Sequence, residues 1–165
     1  MRGFISLTIR ITSFIKGYFD VVIGNPPYIS APAQVANENL VVQRKQITSS
    51  KQYNSLHQKW DLYVPFMELG IRHLCTEGGV MAMIVPYPLT NQTYAEKLRK
   101  MLTRDYNLYQ VVDLNGTKVF DSAVVSNCIT FVQKAHQQEN ISVANISEGR
   151  LSRLIKERYL SKSPK

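Results

Sequence analysis

The sequence predicts an α/β protein with a mostly parallel sheet that ends in an antiparallel hairpin. Apolar runs at Val21–Ile23, Val80–Val85 and Tyr109–Leu114 alternate with segments of helical periodicity, which is typical of parallel strands joined by helices. The next apolar run, Asn127–Lys134, follows a loop rather than a helix. We therefore expect the last two of these strands to pair as a hairpin and to form an antiparallel edge.

The first strand ends in a rigid turn. Val21–Ile23 is a continuous apolar run, which is typical of a strand covered on both faces. Pro26 and Pro27 have no N–H, so the chain does not continue as a ladder strand. Each proline also drives the preceding residue into an extended conformation. The Asn25 side-chain oxygen and the Pro26 carbonyl are therefore predicted to be two free acceptors on a stiff backbone.

The segment after this turn is polar as far as about Lys59 and is predicted to be a long loop, with a helical piece from Glu38 to Ile47. A helix then begins at Asp61, which we interpret as its N-cap rather than as a site residue. Gly78-Gly79 is predicted to end that helix.

The remaining elements are predicted from apolar periodicity and from prolines that mark the ends of elements. They are a strand at Val80–Val85, a helix at Gln92–Thr103, strands at Tyr109–Leu114, Asn127–Lys134 and Ile141–Ile146, and a last helix at Glu148–Leu160. In open sheets of this kind ligands bind outside the carboxyl ends of the strands, where Asn25–Tyr28 and Pro86–Leu89 are expected.

Composition narrows the class of protein. The 165 residues suit one domain or part of one, and 44% are hydrophobic, without a run long enough to span a membrane. Met1–Lys16 lacks the apolar centre and cleavage site of a signal peptide. Cys75 and Cys128 are predicted to be buried free thiols in a reducing, cytoplasmic protein. Three scattered histidines have no ligand spacing, so no metal site is predicted.

The net charge of +8 favours a polyanionic partner. The basic residues concentrate at Arg44-Lys45, at Lys97–Lys100 with Arg104, and in the tail from Arg150 to Lys165. Solvated helix faces and a loose terminus explain these clusters equally well, so the charge alone does not decide between the two.

Asn25-Pro26-Pro27-Tyr28 has the chemistry to hold an amino-bearing planar group. Two converging acceptors bind both protons of an exocyclic amino group, and Tyr28 offers a flat face for stacking, worth roughly 1–3 kcal/mol per base. A base taken from a duplex must first be flipped out of the stack. The competing interpretation is a plain turn that closes a strand, with Tyr28 as a half-buried anchor.

From about Gly17 to Lys134 the chain resembles N6-adenine DNA methyltransferases of restriction-modification systems, especially those that combine methylase and specificity regions. The resemblance rests on Phe19–Ile29, Asp61-Leu62-Tyr63 with Phe66-Met67-Glu68, Gly78–Pro86, and Val119-Phe120 with Ile129–Val132. It implies a partial Rossmann-like fold, S-adenosylmethionine as methyl donor and DNA as partner. It also implies that Asn25, Pro26, Pro27 and Tyr28 are catalytic and that Tyr28 and Phe120 stack on the adenine.

The chain departs from that family in its cofactor region. About eighteen residues precede the catalytic strand, and they contain no glycine-rich turn; Gly78-Gly79 joins the wrong elements for one. We therefore expect a fragment whose S-adenosylmethionine-binding half is missing, with Asn25 and Pro26 at its border. A second polypeptide or an upstream segment would supply that half and a specificity domain. The predicted regions are an N-terminal extension (1–16), a catalytic half (17–147) and a basic C-terminal helix or tail (148–165).

Two other functions remain open at this point. Asn-Pro-Pro-Tyr also occurs in methyltransferases that modify a glutamine amide in proteins, and similar motifs serve amino-methyltransferases of RNA. The second alternative is a non-catalytic remnant that binds DNA through its positive charge.

Overall fold

The computed structural model describes residues 19–115, 126–137 and 140–146, which form one five-stranded sheet with helices between its strands. The strands are β1 (Phe19–Gly24), β2 (Cys75–Pro86), β3 (Asn107–Asp113), β4 (Asn127–Gln133) and β5 (Ser142–Asn145). The helices are α1 (Ala31–Ala36), α2 (Glu38–Ser49), α3 (Tyr63–Glu68) and α4 (Glu96–Arg104). A π-helical turn (Leu69–Leu74) continues α3, and 3-10 turns at Tyr87–Thr90 and Thr93–Ala95 precede α4.

The strand order is β1-β2-β4-β3-β5, and it confirms the predicted fold class. β1 pairs parallel with β2 and β3 pairs parallel with β5, whereas β4 is antiparallel to both β2 and β3. The β3–β4 hairpin is therefore confirmed. Its predicted place at the edge of the sheet was wrong, because β4 inserts between β2 and β3, and β5 covers the other side of β3.

One hydrophobic core lies between the sheet and the helical segments. The π-helical turn packs against β1 and β2, and α4 packs against β3. The fully buried side chains of this core come from every layer and include Tyr63, Met67, Ile71, Met81, Val85, Leu98, Leu102 and Val132.

The prediction that β1 is covered on both faces was wrong for the described residues. Val22 is buried in the core, but Val21 and Ile23 point the other way and are 58% and 76% exposed. A continuous apolar run predicts that both faces of a strand are buried, but it does not identify the segment that buries the second face.

The helix that begins near Asp61 ends earlier than predicted. Its π-helical turn stops at Leu74, and β2 starts at Cys75, so Gly78-Gly79 lies inside a strand rather than at a helix end. The pairing moves from Phe19↔Cys75 to Val21↔Val80, which leaves a bulge in β2. Gly78 has a φ of 79°, and a Cβ on Gly79 would lie 3.1 Å from the carbonyl oxygen of Phe19. Both glycines are needed for the bulge.

The polar stretch between β1 and α3 is more structured than predicted. The predicted helical piece is confirmed as α2, and α1 was not predicted. The segment after α2 is held by the fully buried Glu68, whose carboxylate accepts the backbone amides of Asn54 (2.9 Å) and Ser55 (2.8 Å) and pairs with Arg72. A buried carboxylate with several donors is well satisfied, so this stretch has a fixed anchor in the core.

The predictions for the second half of the described chain agree with the structure, with small shifts of the element boundaries. The predicted Gln92–Thr103 helix is a 3-10 turn followed by α4, and its inward residues Leu98, Met101 and Leu102 are buried. Cys75 and Cys128 are confirmed as buried, free thiols. Met1–Lys16, Phe120 and the predicted last helix lie outside the described residues.

The described part of the chain contains no helix that is long and apolar enough to cross a bilayer. It also contains no cluster of three histidine, cysteine, aspartate or glutamate side chains that could hold a metal ion.

Gly79→Ala should destabilise the protein by about 1–3 kcal/mol, because the new methyl group meets rigid backbone at Thr76 and Phe19. Gly24→Ala is the matched control, since its nearest neighbour is the flexible Met83 side chain at 3.4 Å. Urea unfolding of both variants provides the measurement. Equal midpoints for the two variants would contradict the steric argument.

Candidate active site

One edge of the sheet gathers the segments that the sequence singles out. Gly24 ends β1 opposite Met83 of its parallel neighbour, and Pro86 ends β2 opposite Asn127 of β4. Because β4 is antiparallel, its first residues lie at the edge where β1 and β2 finish. Asn25–Tyr28 and the 3-10 turn after Pro86 therefore leave the sheet on the same side.

The four predicted site residues differ in exposure. Asn25 is exposed and Pro26 is buried, while Pro27 and Tyr28 are half-buried. The buried proline ring anchors the turn, and the amide of Asn25 stays open to a ligand. Phe120, the predicted second ring, lies outside the described residues, although Asn115 and Ser126 flank its segment near this edge.

Tyr28 is fixed through its hydroxyl group. The phenol donates a hydrogen bond to the carbonyl oxygen of Ile84 on β2 at 3.1 Å. Burial, with a smaller contribution from nearby Cys128, raises the pKa of Tyr28 to about 12, so the phenol stays protonated and remains a donor at neutral pH. The ring therefore has one end tied to the sheet, and its partial exposure leaves room for a stacking partner.

The segment after Tyr28 is tied to the start of α3 by two hydrogen bonds. The Ile29 carbonyl accepts from the Leu62 amide (2.9 Å), and it also accepts from the Gln34 side chain of α1 (3.1 Å). The Ala31 amide donates to the Asp61 carboxylate at 2.8 Å.

The predicted N-cap role of Asp61 was therefore wrong. Leu62 is the N-cap of α3 and makes no side-chain capping bond, while one Asp61 oxygen binds the backbone of Ala31, at the start of α1. The other oxygen accepts from the Tyr94 hydroxyl at 2.7 Å. A cap satisfies local amides, whereas this aspartate joins segments that are about thirty residues apart in sequence.

Two tyrosines extend this network into the core. The fully buried Tyr63 donates to the Tyr94 hydroxyl at 3.2 Å, and the two rings meet edge to face at 6.4 Å between centroids. Burial, followed by its hydrogen bond with Tyr94, raises the pKa of Tyr63 far above its usual value. Burial also raises the pKa of Tyr94 to about 12, and Asp61 adds to that shift. Both phenols therefore remain protonated donors.

A second clamp holds α1 and α2 over the same region. The guanidinium of Arg44 stacks on the Trp60 ring at 3.8 Å, and it donates to the Gln34 side chain (2.9 Å) and to the Trp60 carbonyl (2.8 Å). Burial lowers the pKa of Arg44, and the nearby Asp61 offsets part of that shift. Its inward position shows that Arg44 serves packing, although its sequence neighbourhood suggested a polyanion contact.

Residues 4–120 match the family described as Eco57I restriction-modification methylase. The chain belongs to this family. It is 32% identical over 116 residues to the type II methyltransferase M.BstVI of Geobacillus stearothermophilus, which covers 70% of this chain and 19% of that protein. It is also 32% identical over 141 residues to M.HincII of Haemophilus influenzae, with coverages of 82% and 26%. The resemblance to restriction-modification methyltransferases is thus confirmed, and the chain spans about a fifth to a quarter of these relatives.

Solved structures agree on the fold. The M protein of the type I restriction enzyme EcoKI superposes with a TM-score of 0.58 at 18% identity, covering 86% of this chain and 30% of that protein. DrdV, solved in a complex with DNA, gives 0.59 at 18% identity, with coverages of 87% and 17%. A Listeria monocytogenes protein described as a class I S-adenosylmethionine-dependent methyltransferase gives 0.57 at 16% identity, with coverages of 88% and 43%. The chain therefore has the Rossmann-like methyltransferase fold.

The residues that hold the segment after Tyr28 in place were not predicted from the sequence. Gln34 is buried in a helix that was predicted as loop, and Tyr94 was expected to face inward without a polar role. Their signal in the sequence is weak, because a single glutamine or tyrosine has no periodicity of its own. The apolar context around Trp60 and Asp61 was the one available hint that a polar residue there needed a buried partner.

Asp61→Ala should cost about 1–3 kcal/mol of stability, because it leaves the Ala31 amide and the Tyr94 hydroxyl without their acceptor. It should also speed hydrogen exchange at the Ala31 amide, which NMR measures directly. Asp105→Ala is the matched control. Asp105 is exposed, and among the described residues its hydrogen bond is the one from its backbone amide to the Met101 carbonyl, so we expect a change within about 0.5 kcal/mol. Unchanged exchange at Ala31 in the Asp61 variant would contradict the assigned role.

Proposed function

We propose that this chain forms the base-binding half of a DNA methyltransferase that transfers a methyl group from S-adenosylmethionine to the N6 amino group of adenine. The observation that carries the proposal is the pairing of an exposed Asn25 with the anchored, half-exposed Tyr28 at the carboxyl edge of β1. The family match and the relatives that are type II methyltransferases support the reaction class.

The proposed chemistry lies on the acceptor side of the reaction. The Asn25 side-chain oxygen and the Pro26 carbonyl accept the two protons of the adenine amino group and orient its lone pair. Positive charge that develops on this nitrogen is stabilised by the same two oxygens, which need no reorganisation during the reaction. Tyr28 stacks on the adenine ring, while its hydroxyl group is held by the hydrogen bond to the Ile84 carbonyl. The methyl carbon exchanges its bond to the donor's sulfur for a bond to this nitrogen, which then releases one proton to solvent.

One cavity of the described residues is poorly suited to the methyl donor. It has a volume of about 380 Å³, lies at the opposite edge of the sheet and is lined in part by Arg72, Lys97, Lys100 and Arg104. S-adenosylmethionine carries a positive charge on sulfur, which the excess positive charge of this cavity disfavours. We therefore propose that the donor is held mainly by another segment, with Asn25 and Pro26 at the border of its site.

The exposed face of β1 supports the proposal that another segment holds the methyl donor. Val21 and Ile23 are 58% and 76% exposed, and large exposed apolar side chains side by side mark a surface that another segment covers. The curated relatives are about four to five times longer than the matched part. We propose that a cofactor-binding segment or polypeptide covers this face, and that a specificity domain completes the enzyme. A cytoplasmic location follows from DNA as substrate.

A glutamine amide of a protein is the second candidate substrate, because it also presents an amino group beside a carbonyl. The family match favours DNA. Transfer of labelled methyl groups to DNA and to protein acceptors, with the cofactor-binding part supplied, separates the two.

Asn25→Ala should lower methyl transfer to DNA by about 100-fold, as expected when one oriented polar group of an active site is removed. DNA affinity should change far less. The assay uses this chain together with the cofactor-binding part, and it measures turnover and DNA binding separately. Asn91→Ala, at another exposed asparagine, is the control. Parallel losses of turnover and affinity would rule out the assigned role.

Tyr28→Ala should weaken binding of the flipped base by roughly 1–3 kcal/mol through loss of stacking. Tyr28→Phe keeps the ring but loses the bond to Ile84, so most of the affinity should remain. Fluorescence of 2-aminopurine at the target position reports on the stacked base. If the phenylalanine variant lost as much affinity as the alanine variant, the hydroxyl rather than the ring would be the important group.

A further inference from the structure

The cavity at the far edge of the sheet has a basic wall that the proposed reaction does not use. It has a volume of about 380 Å³ and is lined by Asn54, Arg72, Lys97, Lys100, Met101, Arg104, Asp105 and Tyr106. Arg72 lies in the π-helical turn that ends just before β2, and Tyr106 directly precedes β3, so the cavity lies where parallel strands begin. The six residues of β1 put roughly 20 Å between this edge and Asn25.

The cations of this wall differ in how far they are neutralised. Arg72 pairs with the buried Glu68, and Lys100 pairs with Glu96. Lys97 and Arg104 are exposed, and neither makes an ion pair within the described ranges. Asp105 is the acidic side chain of the wall itself, so positive charge remains in excess.

Another basic residue of α4 does not contribute to this excess of charge. Arg99 donates to the carbonyls of Leu89 (2.9 Å) and Gln92 (2.7 Å) and is not in the lining of the cavity. The basic cluster of α4 therefore divides into one inward residue and a set that faces the cavity.

The donors of the wall suit a phosphate group. The Arg72 side chain donates two hydrogen bonds from Nη1, to the Gln52 carbonyl and to Glu68, and Arg72 also lines the cavity. Arg104 adds a second guanidinium, and Lys97 adds a mobile ammonium group. Guanidinium forks match phosphate oxygens, and lysines add charge without a fixed geometry. A cavity of this size also has room for more than one oxyanion.

We propose that this basic cavity binds phosphate groups of the DNA backbone, at a contact separate from the flipped base. The choice of DNA as the source of phosphate rests on the proposed function, whereas the phosphate chemistry rests on the cavity alone. The contact positions the duplex and carries no sequence information.

The test compares two double variants that remove the same charge. Lys97→Gln with Arg104→Gln alters the cavity, and Lys45→Gln with Lys59→Gln removes two exposed lysines elsewhere. Fluorescence anisotropy with a short labelled duplex gives affinities between about 50 and 200 mM salt. Calorimetry with inorganic pyrophosphate tests phosphate chemistry without DNA, and circular dichroism verifies that both proteins are folded.

For the cavity variant we expect a loss of duplex affinity of about tenfold, a salt dependence that falls by about 1 to 2 in logarithmic slope, and loss of pyrophosphate binding. The control variant should change less than about twofold in duplex affinity. Equal losses in both variants, or no loss in either, would overturn the proposal.

Two further outcomes identify the source of the phosphate. Loss of pyrophosphate binding with unchanged duplex affinity would overturn DNA as the ligand. Stronger competition by oligoglutamate than by unlabelled duplex would overturn phosphate itself. Neither outcome depends on methyl transfer, so a failure here is distinguishable from a failure of the Asn25 prediction.

Discussion

The structure around the candidate site depends on one constraint, which is that Pro26 and Pro27 take two donors out of the backbone just where β1 ends. The chain therefore leaves the sheet without a ladder to guide it. Its position has to come from the carbonyl of Ile29 and the amide of Ala31, and from side chains elsewhere that reach them. Asp61 and Gln34 supply these contacts, and both are themselves held by further hydrogen bonds.

Two carboxylates supply acceptors to backbone amides outside the strand ladders, the buried Glu68 and the half-buried Asp61. Glu68 accepts two backbone amides and one arginine, and Asp61 accepts one amide and one phenol. Each carboxylate acts as a substitute for a missing strand or helix, because it supplies acceptors to amides that no ladder satisfies. A buried charge with such partners is costly to remove, since its donors are then left without an acceptor.

The sequence predicted those features that local patterns encode. Strand positions, the hairpin and the inward face of α4 follow from apolar periodicity, and the site turn follows from the chemistry of proline. Features that depend on distant partners were missed. Asp61 looks like a helix cap because capping residues are recognised by the next few positions, whereas its true partners are Ala31 and Tyr94. Likewise, the apolar run of β1 predicted that both of its faces are covered, whereas Val21 and Ile23 are exposed in the described part of the chain.

The antiparallel course of β4 has a consequence for how this architecture varies. β3 ends and β4 begins at adjacent positions, as Asp113 pairs with Cys128 and the Leu114 amide bonds to the Asn127 carbonyl. The connection between β3 and β4 starts and finishes at the edge of the sheet that carries Asn25. The pairing of the two strands therefore holds its ends together. Lengthening such a connection costs little loop-closure entropy and leaves every strand register unchanged. Insertions between Asn115 and Ser126 should therefore leave the pairing of β3 with β4 unchanged.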